Sequence, residues 1–369
     1  MMNDFVSAIQ RGDTEQVTRM LRQTPELISA HHEGSFGSTG LIQAVLRDDR
    51  AMVDVLLDAG ADIDQRSDWW AGSFGVLDHS GVDMSVHLLE RGAELTPHAA
   101  ARLGLWEELR SMIAGDPGCV HRRGGDGQYP LHFSHTPEIV DLLLEHGAEI
   151  DARDIDHEST AAQWRATARP AVAAHLVERG CATDPFLAAV SGRVDVLQGL
   201  AAEDPAVVHA TVSRDRFSTS GARAADHIYF YTIGEGCSLL HAAAAADRGD
   251  VIRWLIAGGA DPNARGGYDR QTPLHAAAWN DAPEAARSLV EGGADPNARS
   301  GRIHDNEPLG WAIVSGAPQA VATLLELGAT VRQVHRDDAD AGAGGKFRQF
   351  NRDRPLERWV EVRELLRPR

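Results

Sequence analysis

Short apolar clusters recur along the chain, each followed within a few residues by Gly-Ala and then a polar residue. Leu56-Leu57 precedes Gly60-Ala61-Asp62, Leu142-Leu143-Leu144 precedes Gly147-Ala148-Glu149, and Trp254-Leu255-Ile256 precedes Gly259-Ala260-Asp261. Ahead of such stops runs a second cluster rich in alanine: Leu41-Ile42-Gln43-Ala44-Val45, Leu239-Leu240-His241-Ala242-Ala243-Ala244 and Leu274-His275-Ala276-Ala277-Ala278. Looser copies are Val86-His87-Leu88-Leu89 before Gly92-Ala93-Glu94, Pro130-Leu131-His132, and Leu309 to Ile313 with Leu324-Leu325 and Gly328-Ala329-Thr330. Spacing of this kind collects apolar side chains on one helical face. Gly293 falls where a helix C-cap needs a positive φ, and Pro273 falls in a first turn, where no amide partner is lost. The pattern predicts repeated pairs of short antiparallel helices, with small alanines letting the inner helices pack closely.

The stretch Thr272-Pro273-Leu274-His275-Ala276-Ala277-Ala278, ending in Gly293-Ala294-Asp295-Pro296-Asn297-Ala298, resembles the ankyrin repeat, a unit of about 33 residues. The resemblance is most specific over 238–299 and looser elsewhere. It implies an all-α ankyrin-repeat solenoid of about ten helix–turn–helix repeats with finger loops over residues 1–336. Three units instead end at Thr24-Pro25, Asp116-Pro117 and Asp204-Pro205. Their spacing suggests three-repeat modules, 1–96, 97–184 and 185–336. Residues 337–345 (DDADAGAGG) read as a flexible linker, and 346–369, with its PLERWVEVRELL segment, as a C-terminal capping helix.

The resemblance also implies which residues face the concave groove: the finger tips, and the pair after the inner-helix alanines. By register the second set is Trp279 and Asn280, Asp78 and His79, and Arg102 and Leu103. The fingers offer Trp69 and Trp70, His157 and Glu158, Tyr268 to Arg270, and His304, Asp305 to Glu307. At least one of Trp69 and Trp70 is expected to be exposed, because adjacent finger side chains are hard to bury together. Trp106, Trp254 and Trp359 lie on helical apolar faces and read as core. His132, His241 and His275 occupy the motif position that ties neighbouring fingers by hydrogen bonds. His87, His146 and His175 read as structural positions on outer helices. His132 and His135, three apart on an expected helix, share a face, and Asp78-His79 and His304-Asp305 pair a carboxylate with an imidazole. With 17 histidines such proximities arise by chance, so no metal site and no cofactor is expected.

One finger is anomalous. Residues 210–237 far exceed an ordinary connection, and loops that long are usually functional or disordered. Their second half, His227-Ile228-Tyr229-Phe230-Tyr231-Thr232-Ile233, is β-prone. Alternation in a ribbon would set His227, Tyr229 and Tyr231 on one side, as a lid or ligand-contacting arm; the other reading is that the segment merely covers the seam between repeats 7 and 8. The repeated Gly34-Ser35-Phe36-Gly37 and Gly72-Ser73-Phe74-Gly75 match no phosphate loop or nucleophile elbow and read as finger turns.

Charge narrows the partners. Lys+Arg is 36 against 54 Asp+Glu, a formal net charge of -18, which repels nucleic acid and anionic membrane. No apolar run reaches the length needed to cross a bilayer, and the start lacks a signal-peptide pattern, so a cytoplasmic location is expected. Lys346 is the sole lysine, as in a GC-rich bacterial genome, which removes most Schiff-base candidates. Cys119, Cys181 and Cys237 form no CxxC, so neither a disulfide framework nor a thiolate zinc site is indicated. The expected function is recognition of a protein or peptide in the concave groove. The alternative is an enzyme or small-molecule-binding protein whose groove site, under the 210–237 finger, would use His227, Tyr229, Tyr231, Asp78 and His79 for acid–base chemistry. A homodimer through the C-terminal helix is a third arrangement.

Overall fold

A computed structural model of the chain describes residues 1–213, 227–301, 306–351 and 354–367. Up to residue 161 and from residue 162 onward the chain forms two compact units. In the first, Met2–Gln10 pairs with Thr14–Gln23, Gly40–Leu46 with Arg50–Asp58, and Pro97–Leu103 with Trp106–Gly115. In the second, the pairs include Pro185–Ser191 with Val194–Glu203, Leu239–Ala245 with Gly249–Ala257, Pro273–Trp279 with Pro283–Glu291, and Pro308–Ser315 with Pro318–Glu326. The one sheet among the described residues is a two-stranded ribbon, His31–His32 against Ser38–Thr39.

Local chemistry accounts for these pairs. Asp13 and Asp49 cap their helices by accepting the Gln16 and Met52 amides at 2.9 and 3.0 Å. Ala277, Ala278 and Leu289 are fully buried, as the small-residue inner face and leucine outer face require. The Asp-Pro units become 3₁₀ turns, Pro117–His121 and Pro205–His209, with Asp116 and Asp204 accepting the Gly118 and Ala206 amides.

The motif histidines follow one geometry. His275 Nδ1 accepts the Thr272 amide at 3.2 Å, and its Nε2 faces the Asn306 carbonyl at 3.0 Å. His241 repeats this with Ser238 and Gln271, and His132 with Tyr129 and Ser159. An amide N–H on Nδ1 leaves the proton on Nε2, so each ring is neutral and donates to the next finger. Burial drives the imidazoles of His241 and His275 down to about 4.

Several expectations need correction. Residues 337–345 are no linker: Gln333–Ala343 is a helix, with Ala339 buried. Its glycine serves close packing. A Cβ at Gly342 would come within 2.6 Å of the Trp359 ring, which is fully buried and donates to the Val314 carbonyl at 3.2 Å. The capping helix, Glu357–Leu365, packs on Gln333–Ala343 and Pro318–Glu326. Trp106 is not core. It opens its helix 38% exposed, with the Arg110 guanidinium 5.6 Å over its ring. Trp254 is only half-buried.

Between Arg50–Asp58 and Val82–Glu90 no inner helix forms; Val76 and Leu77 bury there from irregular backbone. Glycines 72, 75 and 81 flank this stretch and weaken helix formation. Likewise Pro130–Phe133 is a single 3₁₀ turn that ends before His135, so His132 and His135 do not share a helical face. His135 turns instead to the Arg102 carbonyl, at 3.0 Å.

Candidate functional site

The β-prone segment is helical. Residues 228–234 wind into a turn that widens to π form at Phe230–Gly234, with Thr232 Oγ1 donating to the Ile228 carbonyl. Strand alternation is therefore lost: Tyr229 is fully buried, His227 is 3% exposed and Tyr231 is 58% exposed. Tertiary burial overrides the β-propensity of the segment. The Tyr229 hydroxyl donates to Asp184 Oδ2 at 3.0 Å, and Gln163 Nε2 donates to the same oxygen at 2.8 Å. Asp184 Oδ1 meanwhile caps Pro185–Ser191 through the Phe186 and Leu187 amides. Burial and the Asp184 carboxylate push the Tyr229 phenol well above its ordinary range. Tyr229 thus anchors its segment into the second unit, and neither it nor His227 is presented to solvent. Residues 214–226 of the long finger lie outside the described residues.

Asp78 is buried, with Oδ2 accepting from Arg66 at 3.1 Å and from the Gly75 amide at 2.7 Å. His79 is exposed, and its ring rests on Phe74 at 4.9 Å. The Asp78 oxygen seen in these bonds is therefore spent on loop geometry rather than on orienting His79. Arg102 reaches the Leu77 and Ser80 carbonyls at 3.0 and 2.7 Å.

In the second unit Trp279 and Trp311 meet edge to face at 5.8 Å, beside His275. With Asn280, His241, Thr232 and Ile233 they line a cavity of about 150 Å³. Asn280 is exposed and Trp279 half-buried. Tyr268 stands at a finger tip, 76% exposed, and Arg270 beside it adopts φ 52°. His304 and Asp305 lie outside the described residues.

The first unit gathers the largest set of unusual side chains. Phe36, Trp69, Trp70 and Phe74 form a chain of ring contacts: Phe36 to Trp69 at 5.0 Å, Trp69 to Trp70 at 6.1 Å, and Phe36 to Phe74 at 6.4 Å. Phe36 and Trp70 are 57% and 55% exposed, while Trp69 is half-buried. Below them opens a cleft of about 520 Å³ lined by Arg66, Trp69, Trp70, His98, Arg122 and Arg123. The finger backbones approach closely here. Gly72 has φ +141°, and a Cβ on it would stand 2.2 Å from the Gly124 carbonyl oxygen.

Trp69 Nε1 donates to Asp126 Oδ1 at 3.0 Å. Asp126 takes a left-handed conformation, φ 54°, and its carbonyl accepts the Ile155 and Asp156 amides of the following finger. This brings Asp126, Asp156 and His157 together, with a donor atom from each within 4.8 Å of the others. Burial first, then the neighbouring Asp156 carboxyl, raises the Asp126 carboxyl to about 6. His157 Nε2 lies 3.7 Å from Asp156.

Of the residues expected in the groove, the structure thus joins Trp69, Trp70 and His157 around one finger region. Phe36, Asp126 and Asp156 were missed. The available signal was spacing: Asp126 and His157 sit one repeat length apart in successive fingers.

The family models that match the chain are of ankyrin repeats. A family model described as ankyrin repeats (3 copies) matches residues 186–300 and 240–335, and one described as ankyrin repeat matches 126–155. Among solved structures, the human ASB11 ankyrin repeat domain is 21% identical, with a TM-score of 0.31; the match covers 65% of this chain and all of that one. Among the described residues no helix is long and apolar enough to cross a membrane.

Proposed function

Because the chain belongs to the ankyrin repeat family, whose repeats are protein–protein interaction modules, we propose that it binds an extended peptide segment of a partner protein at the aromatic fingers of residues 1–161. The observation that carries this reading is the exposure of Phe36 and Trp70 side by side with half-buried Trp69, at the mouth of the cleft lined by Arg66, Arg122 and Arg123. Exposed tryptophan and arginine around a concavity are the composition of binding hot spots. All three arginines are part-satisfied: Arg66 pairs with Asp78, Arg122 with Asp116, and Arg123 donates to the Gly127 and Arg153 carbonyls. The partner segment accordingly carries a large apolar side chain for Trp70 and a carboxylate for the arginine edge. In the second unit Trp279, Asn280 and Trp311 offer a corresponding groove surface. The reading takes the protein as cytoplasmic.

The small-molecule alternative under residues 210–237 has weaker support, since His227 and Tyr229 are buried. Selection of displayed random peptides against the full chain tests the proposal. Enrichment of an aromatic or aliphatic residue spaced from Asp or Glu is expected. Enrichment of basic sequences, or of none, would overturn it.

A further inference from the structure

We propose that Asp126, Asp156 and His157 form a binding site for one divalent transition cation of the manganese-to-zinc series. This goes beyond the peptide-binding reading and stands independently of it. Two carboxylate oxygens and an imidazole nitrogen already lie within 4.8 Å of one another. Ligands at about 2.0–2.2 Å from a common ion can be no more than about 4.4 Å apart, so a small side-chain rotation closes the set.

Burial separates this cluster from ordinary surface acids. Asp156 is 6% exposed and Asp126 9%, and the His157 side chain is 12% exposed. Among the described residues neither carboxyl pairs with an arginine or the lysine. Among the described residues the Asp156 carboxyl interacts with His157 and with Asp126. Two like charges held this close out of water require either a shared proton or a cation, because desolvation and repulsion act together.

The framework is also fixed beforehand. The Asp126 carbonyl holds the Ile155 and Asp156 amides at 2.9 and 3.2 Å. Asp154 Oδ1 accepts the His157 and Ser159 amides. The Trp69 indole N–H, on Asp126 Oδ1, orients the carboxylate from outside as second partners do in metal centres. A mixed oxygen and nitrogen set of three suits a borderline cation, whereas calcium calls for six to eight oxygens. The remaining coordination positions would take water or a donor from a bound partner.

Titration of the chelator-treated full chain with Co²⁺ near neutral pH tests the site. One Co²⁺ should bind per chain, and the first equivalent should displace the Trp69 indole N–H resonance, assigned with Trp69→Phe, ahead of the other tryptophans. Asp156→Asn and His157→Ala should each weaken binding by about tenfold or more. If Asp156→Asn fails to fold, His157→Ala and the Trp69 resonance of the unmodified chain decide. A first equivalent that leaves the Trp69 signal unmoved, or folded variants with unchanged affinity, would overturn the proposal.

Discussion

His275 Nε2 lies 3.0 Å from the carbonyl oxygen of Asn306, so one buried ring joins the start of its helix to the next finger. Its Nδ1 is already occupied by the Thr272 amide. Protonation would put a hydrogen where that amide points, and the ring is buried besides.

Stability should therefore depend on these imidazoles. In the unfolded chain they titrate near 6.5; in the fold, His241 and His275 resist protonation down to about 4. Their contribution is complete above pH 6.5 and is lost as pH falls toward 4, on the order of 2–3 kcal/mol each. Asp126, raised to about 6, acts in the opposite sense between its ordinary value and 6. Comparison with His275→Gln isolates the histidine part. Urea midpoints measured from pH 7 to 4.5 should fall more steeply for the unmodified chain than for the variant. Equal slopes would place the His275 proton elsewhere.

Leu289 is fully buried on Pro283–Glu291, a helix that packs against Gly249–Ala257 and Pro318–Glu326. Leu289→Ala should cost roughly 2–5 kcal/mol. In a repeat array the loss should spread to adjacent repeats, read as reduced amide-exchange protection in all three helices. A melting curve that stays put would mean the outer-helix register is misassigned.

Tyr229 links the end of the long finger to Asp184. Tyr229→Phe removes one donor to a half-buried carboxylate and should cost about 1–3 kcal/mol. Thermal melting of this variant beside Tyr231→Phe separates the two: the exposed Tyr231 ring should tolerate the change within about 0.5 kcal/mol. Shortening 210–237 should destabilise the second unit, contrary to what a detachable lid would do.

How much was legible in the sequence follows from where the information resides. The helix pairs, the capping tryptophan Trp359 and the finger-tying histidines are written in local periodicity and in a four-residue start signal. The finger conformations are not. Asp126, Glu158 and Arg270 adopt positive φ without being glycine; Asp126 is held by Trp69 and by the Ile155 and Asp156 amides of neighbouring fingers, whereas Arg153 and Arg265 hold the Glu158 and Arg270 carbonyls within their own. Such conformations have weak local signals, so the meeting of Trp69 with Asp126, 57 positions apart, could not be read from either segment. The β-prone letters of 227–233 misled for a related reason: the Tyr229 ring is fully buried with its hydroxyl on the Asp184 carboxylate, and the backbone wound to deliver it. Gly342, in a stretch that reads as a linker, is instead the space that Trp359 fills.

Exposed aromatics at Phe36 and Trp70 contribute little to folding, so their removal should leave the melting temperature nearly unchanged. Trp69→Phe should behave differently. It abolishes the indole donor to a buried carboxyl and should lower stability by about 1–2 kcal/mol, checked by chemical denaturation.

The most direct measurement is the affinity of a selected acidic-apolar peptide for the unmodified chain and for Trp70→Ala, by calorimetry at fixed salt. Loss of a hot-spot aromatic corresponds to about 2 kcal/mol or more, a drop of about thirtyfold, with the melting temperature retained. Unchanged affinity in folded Trp70→Ala would contradict the assignment of the aromatic fingers as the partner-binding surface.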